Sequence, residues 1–291
     1  MANSPELRRI ALVSSGAMGA ALGARLVEAG HVVLTSLADR SDATRARATA
    51  AGMAHADDPD LAACDLILSV MPPANAGGFV ERMLPHIAAR TAKPLFVDAN
   101  ALGPQTKQAL AARLATAGCA LVDGAILGPP PRPDGRSTTL LLSGEEAARA
   151  MALATQACPA RIIDGGVGAA ATVKMCFGGI NKGMIGLGST LLLAAARHGV
   201  GDALEREMAD KMPDLLARLR PQIPDMLPKA YRWVAEMEEI ASFLGEHDPA
   251  GAEMFRGMAA LYRRIAGDVS DDRPDAATLE QAARGHGIAK P

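Results

Sequence analysis

The apolar run Ile10-Ala11-Leu12-Val13 leads directly into Ser14-Ser15-Gly16-Ala17-Met18-Gly19, and then into a stretch with Met18, Leu22, Leu26 and Ala29 at helical spacing. Against the fingerprint GxGxxG, Gly16 and Gly19 occupy the second and third positions and Ser14 the first. The chemistry of such a turn is anion binding. A residue without Cβ at 16 admits a pyrophosphate to the backbone, and one at 19 lets the helix lie close to the strand. The helix N-terminus supplies amide donors. Ser15, Gly16, Ala17, Met18 and Gly19 are therefore candidate contacts for a dinucleotide. Ser14 fills the first position provided the turn there needs no left-handed backbone.

The ribose 2′ position is read about 20 residues further on. Asp39 suits the free hydroxyl of NAD, whereas Arg40 and Ser41 suit the 2′-phosphate of NADP. Thr35 and Ser36, at the tip of the second apolar run, set no negative charge against a phosphate. NADP is therefore favoured over NAD, with Arg40 and Ser41 as phosphate ligands. The alternatives are a solvated Arg40 and an Asp39 that caps the next helix. Two further strand ends, Ser69-Val70-Met71-Pro72-Pro73 and Asp98-Ala99-Asn100, fall where the carboxyl edge of a sheet lines a ligand crevice. Met71, Pro72 and Asn100 are candidates there, and a plain turn role is the alternative for Asn100.

These residues need a scaffold. Short aliphatic runs at 10–13, 32–35, 66–70, 95–97, 120–122 and 139–142 alternate with Ala-rich helical stretches. Strands this apolar, separated by helices, indicate a parallel sheet covered on both faces, that is, a doubly wound Rossmann-type α/β domain. Beyond about residue 165 the pattern turns all-α. Ala230, Trp233, Met237, Ile240, Ala241 and Leu244 keep helical period, as do Phe255, Met258, Ala259, Tyr262 and Ile265. Pro213, Pro221, Pro224 and Pro228 should break the chain between into short helices or turns. The division is read as 1–165 and 166–291.

Composition narrows the classes. Across 291 residues, 30 Lys and Arg stand against 32 Asp and Glu, so the basic surplus of a nucleic-acid binder is missing. Aromatic residues at 3% leave few stacking platforms. A hydrophobic content of 49% excludes a largely disordered chain. Cys64, Cys119, Cys158 and Cys176 form no CxxC pair, which reads as reduced thiols and no metal site. The longest apolar stretch, 183–196, falls short of the roughly 20 residues that span a bilayer. A cytoplasmic protein acting on a small molecule is expected, with no nucleic-acid or membrane partner.

Several stretches resemble the β-hydroxyacid dehydrogenase family of the 6-phosphogluconate dehydrogenase superfamily: Gly16-Ala17-Met18-Gly19, Ala29-Gly30-His31, Pro72-Pro73 and Val97-Asp98. Gly168-Ala169-Ala170-Ala171-Thr172-Val173-Lys174 resembles that family's catalytic GxxxxxK helix. The segment from Arg232 to Ile240 resembles a branch whose C-terminal domain has no assigned function. The resemblance covers nearly the whole chain. It implies hydride transfer between a nicotinamide and a hydroxy or oxo substrate, a homodimer made by the helical domain, and Lys174 as the essential acid/base. The apolar neighbours Val173, Met175, Cys176 and Phe177 would desolvate such a lysine and draw its pKa down toward the working range.

Two departures from the family pattern bear on substrate. The family places Asn one turn after the lysine, where this chain has Phe177-Gly178-Gly179. Asn181 lies seven residues on, about 20° off the Lys174 direction and roughly 10.5 Å along the helix, with Gly178 leaving a notch between. The second departure replaces a Ser-Gly-Gly amide cradle by Leu127-Gly128-Pro129-Pro130-Pro131, and proline has no N–H to donate. Arg132, Arg136 or Ser137 would have to replace it, or stay solvated. Together these imply a substrate bulkier than a small hydroxy acid, bounded by Leu127, Gly128, Pro129, Gly178 and Asn181. Imine reduction on the same fold and a non-catalytic NADP-binding sensor are the alternatives. The acidic cluster Glu236, Glu238 and Glu239 reads as a solvated face with an Arg232–Glu236 pair.

Overall fold

The computed structural model describes residues 7–135, 138–245, 247–271 and 274–284. The chain separates into two compact units, one running through Lys174 and the other starting at Met175, a boundary inside a helix and later than residue 165.

The first unit alternates strands and helices: β1 (Arg9–Val13), α1 (Ala17–Glu28), β2 (Val32–Thr35), α2 (Asp42–Ala50), β3 (Ala54–His55), α3 (Asp58–Ala62), β4 (Leu66–Ser69), α4 (Pro73–Ala88), β5 (Leu95–Asp98), α5 (Pro104–Ala115), β6 (Leu121–Leu127), β7 (Thr139–Ser143) and β8 (Ala160–Ile162). They form a single sheet in the order β3-β2-β1-β4-β5-β6-β7-β8. Successive side chains of a strand point to opposite faces. Ile10 and Leu12 accordingly enter one core with Leu66, Leu68 and Val97, while Ala11 and Val13 enter the other with Ile67 and Phe96. A strand buried on both faces has no polar alternation, which is why these runs are almost wholly apolar.

Three details differ from the sequence reading. The sheet is not wholly parallel: β6 and β7 pair antiparallel, from Asp123 against Ser143 to Leu127 against Thr139. No helix lies between them among the described residues, and a return without a crossover helix runs antiparallel. Strand β6 continues to Leu127 because that pairing extends it. The two- and three-residue strands β3 and β8 went unread, since neither is long enough to show a period.

Helix α6 (Ala169–Arg197) carries the chain out of the first unit. At 29 residues it is about 44 Å long. The second unit continues with α7 (Gly201–Lys211), α8 (Pro213–Met226), α9 (Ala230–Gly245), α10 (Pro249–Asp271) and α11 (Pro274–Arg284). Pro221 and Pro224 do not break α8. Its buried stripe, Leu216, Leu219, Ile223 and Met226, lies opposite them, and the carbonyls they leave unbonded, at Ala217 and Arg220, are on the exposed side. Helix α6 packs on α10 through glycines. A Cβ at Gly179 would come within 3.2 Å of Phe255, and one at Gly186 within 3.1 Å of Tyr262. Tyr262 is fully buried, stacks edge-on against Trp233 at 5.2 Å, and donates its hydroxyl to the Lys182 carbonyl at 2.5 Å. No described helix is long and apolar enough to cross a membrane.

Candidate active site

The turn between β1 and α1 is built by close approach. A Cβ at Gly19 would sit 1.8 Å from the Ser14 carbonyl oxygen, so only glycine allows α1 to lie this near the strand. A Cβ at Gly16 would meet nothing within 4 Å, which leaves open space in front of the helix N-terminus. Gly16 is the N-cap and offers no side chain to the first amides of α1. Those amides have no intrahelical acceptor. Among the described non-glycine residues Asp39 has a positive φ and Ser14 does not, so serine fits the first position of the fingerprint. The Ser15 hydroxyl is buried against Thr35 Oγ1 at 3.0 Å, so its backbone is what remains to meet a ligand.

After β2 the chain turns through Asp39, at φ 54°, into α2. The cap of α2 is Ser41, whose hydroxyl accepts from the Thr44 amide, rather than Asp39. The Arg40 carbonyl accepts from Arg45 Nε at 3.0 Å, while its own guanidinium has no hydrogen-bond or ion-pair partner among the described residues. Arg47, which the sequence reading passed over, donates Nε to the Ser15 carbonyl at 3.4 Å and Nη2 to Thr44 Oγ1 at 2.9 Å. It ties the glycine turn to α2.

A cleft of about 390 Å³ opens where the sheet order reverses, between the ends of β1 and β4. Ser14, Arg40, Met71, Pro72, Phe79 and Arg82 line it. Crevices at such switch points are where open α/β sheets bind ligands. Arg82 lies 5.4 Å from the Phe79 ring centre and 3.0 Å from Asp58, and nothing local in the sequence marks it. Asn100 has a different place from the one expected. It is buried, donates Nδ2 to Ser69 and Asp98, and accepts the Met71 amide at 2.6 Å. Its amide is fully engaged in shaping the turn that walls the cleft.

Behind this wall lies a buried ion cluster absent from the sequence reading. Lys107 of α5 is 0% exposed, and its amine donates to Asp98 Oδ1 at 2.5 Å, the Asp98 carbonyl at 2.5 Å and the Gly124 carbonyl at 3.1 Å. It is also 3.3 Å from Asp123 Oδ1. Asp123 Oδ2 accepts the amides of Gly168 and Ala171 at 3.0 and 2.9 Å, and the Ser143 hydroxyl accepts that of Ala170 at 3.0 Å. Two side chains from the sheet thus cap α6. Lys174 follows on the same helix and is half-buried. Its neighbours Val173 and Phe177 are exposed, so the described chain does not surround it with the apolar packing their types suggest.

The remaining expected residues divide. Leu127 is half-buried at the end of β6, and Gly128 and Pro129 are exposed in the connection that follows. Arg136 and Ser137 lie outside the described residues, and Arg132 is exposed. Gly178 is half-buried on α6, and Asn181 accepts a hydrogen bond from Arg218 at 2.7 Å. Glu236 pairs with Lys182 at 2.5 Å, not with Arg232. The reason is tertiary: Lys182 is already held over the Trp233 ring at 5.5 Å, beside that carboxylate. Among the described residues no group of three His, Cys, Asp or Glu side chains could hold a metal.

Residues 9–158 match the family model of the NAD binding domain of 6-phosphogluconate dehydrogenase. The chain belongs to that family. It is an NAD(P)-dependent oxidoreductase of the 6-phosphogluconate dehydrogenase type, and residues 195–265 match a domain of unknown function. None of the curated proteins matches the sequence. Among solved structures, the conserved protein MTH1747, described as structurally similar to 3-hydroxyacid dehydrogenases, is 24% identical with a TM-score of 0.74, covering 94% of this chain and 99% of its own. A conserved hypothetical protein from Sinorhizobium meliloti is 21% identical at 0.77, with 97% of each chain covered. The 3-hydroxyisobutyrate dehydrogenase of Mycobacterium tuberculosis is 19% identical at 0.69, covering 96% and 98%. At these identities the likeness is one of fold.

Proposed function

We propose that the protein is an NADP-dependent oxidoreductase that moves hydride to or from a hydroxy or oxo substrate, with Lys174 as the acid/base. The observation that carries the cofactor choice is Arg40, an exposed cation without a partner among the described residues, at the rim of the switch-point cleft. Its fork suits a phosphate monoester. Ser41 caps α2 and shares a 3.1 Å hydrogen bond with the Thr44 hydroxyl; with Thr44 as donor there, Ser41 keeps its own proton for a phosphate oxygen. The open face before Gly16 and the amides of Ala17, Met18 and Gly19 fit a pyrophosphate, and Met71 and Pro72 form the opposite wall. When bound, NADP supplies or accepts the hydride. Lys174 as free amine takes the hydroxyl proton during oxidation, and as ammonium returns it during carbonyl reduction.

The substrate is bulkier than a three- or four-carbon hydroxy acid. Pro129, Pro130 and Pro131 give the loop after β6 no amide cradle for a small carboxylate. A homodimer completes the reading. Phe177, Ile180, Leu187 and Leu191 are 56%, 65%, 57% and 55% exposed on α6, at the three-, four- and seven-residue spacing of a helix–helix seam.

The test begins with NADPH and NADH binding, followed by cofactor fluorescence, in wild type and Arg40→Ala. Tight NADPH binding that weakens at least about tenfold in the variant, with NADH unchanged, supports the assignment, since a charged hydrogen bond is worth some 1.5–3 kcal/mol. Equal binding of both cofactors by wild type overturns it. A panel of oxo acids, aldehydes and cyclic imines then reports the acceptor, with Lys174→Ala as control. Efficient turnover of 3-hydroxyisobutyrate would overturn the size argument, and light scattering of Leu187→Asp tests the dimer.

A further inference from the structure

The first unit buries one lysine and two aspartates together: Lys107, Asp98 and Asp123 are each no more than 1% exposed. One positive charge against two negative leaves a net −1. Removing three ions from water is costly, and an apolar trio of similar volume would often stabilise a fold as well or better. A cluster of this kind therefore calls for a geometric reason. The surplus negative charge points at α6. Asp123 turns one oxygen to Lys107 and the other to the amides of Gly168 and Ala171, where the positive end of the helix dipole lies. Ser143, itself bonded to that oxygen at 3.2 Å, holds the Ala170 amide.

Ala170 and Ala171 precede Lys174 by four and three residues, which puts all three on one helix face. A slip of one residue at the start of α6 would rotate the lysine by about 100°. We infer that Lys107 and Asp123 are positioning residues for Lys174: the pair locks the first turn of α6 onto the ends of β5 and β6 and thereby sets where the amine stands. The same chain of bonds runs back through Asp98 and Asn100 to the Met71 amide in the cleft wall, so lysine and cofactor wall share one frame. The inference rests on reading Lys174 as the acid/base.

Asp123→Asn keeps the shape and leaves Lys107 a single balancing carboxylate; Ser143→Ala removes a helix contact without touching charge. Two readouts apply to both: the pH profile of Lys174 acetylation by acetic anhydride, read by mass spectrometry with NADPH present, and kcat and KM for the best acceptor of the panel. Expected are a Lys174 acetylation rate changed by about tenfold, and a kcat lowered by up to about 100-fold with KM nearly constant. NADPH affinity should hold. Wild-type acetylation profiles in both variants overturn the inference, whatever the turnover shows. If Asp123→Asn does not fold, a wild-type profile in Ser143→Ala does so alone. Undiminished turnover by Lys174→Ala, by contrast, overturns the acid/base reading and with it the catalytic meaning of the placement.

Discussion

The two units hold their polar side chains by different physics. In the first, polar groups sit in the interior: Lys107, Asp98, Asp123, Asn100 and Ser143 are all buried and bonded to one another or to backbone. In the second, the interior is mostly apolar and glycine-lined, with Ser189, Asp268 and Thr278 as scattered buried polar side chains, and the ion pairs, such as Arg263–Glu238 and Lys229–Asp225, are largely at the surface. A buried polar network admits one geometry, because every donor must find its acceptor. An apolar helix interface tolerates small shifts. The contrast assigns precision to the sheet ends and adaptability to the helices.

The comparison can be broken by substitution. The largest effect is expected for Lys107→Met, which strands two buried carboxylates and should cost about 3–5 kcal/mol in urea denaturation. A loss below 1 kcal/mol would mean that the interior is not the rigid half. Next come the glycines. Gly19→Ala would drive a methyl into the backbone oxygen of Ser14 and should cost about 1–3 kcal/mol with loss of NADPH binding. Gly188→Ala in the second unit would meet only the Leu219 methyls at 2.9 Å, a side chain that can yield. The higher helix propensity of alanine offsets the crowding, so its melting curve should stay within about 1 kcal/mol of wild type. Glu238→Ala removes an exposed pair and should change stability by less than about 1 kcal/mol.

The cysteines sharpen the contrast without mutation. Burial raises the thiols of Cys64, Cys119 and Cys158, all in the first unit, from 9.0 to about 11, while Cys176 in the second is exposed. At mildly alkaline pH a disulfide reagent should label one thiol in the native protein and four after denaturation. A folded pKa above the unfolded value contributes stability that is complete below pH 9 and is lost as pH rises through about 11. The melting temperature should therefore fall across that window, and a flat profile would remove the thiols from the account.

Where the sequence was readable, the signal was local. The β1–α1 turn joins an apolar run, two spaced glycines and an amphipathic helix within twenty residues, and each piece has one physical reading. The periods of α9 and α10 were visible for the same reason. Lys107 was invisible because its partners are 9 and 16 residues away on two different strands, and a lysine in a helix such as α5 is ordinarily solvated. Asn100 was noticed as a strand-end amide, but its bond to the Met71 amide depends on β4 and β5 lying side by side. Pro221 and Pro224 misled because a helix rule weighs the missing N–H, whereas the buried stripe of α8 decides the outcome.

The sheet ends in its two shortest strands, β3 with two residues and β8 with three. A sheet's outermost strand offers unpaired amides and carbonyls as a template on which another chain can polymerise. Here that template is too short on either flank to seed a growing ladder. A concentrated solution of this protein has little means of joining sheet to sheet, and self-association is left to its helices.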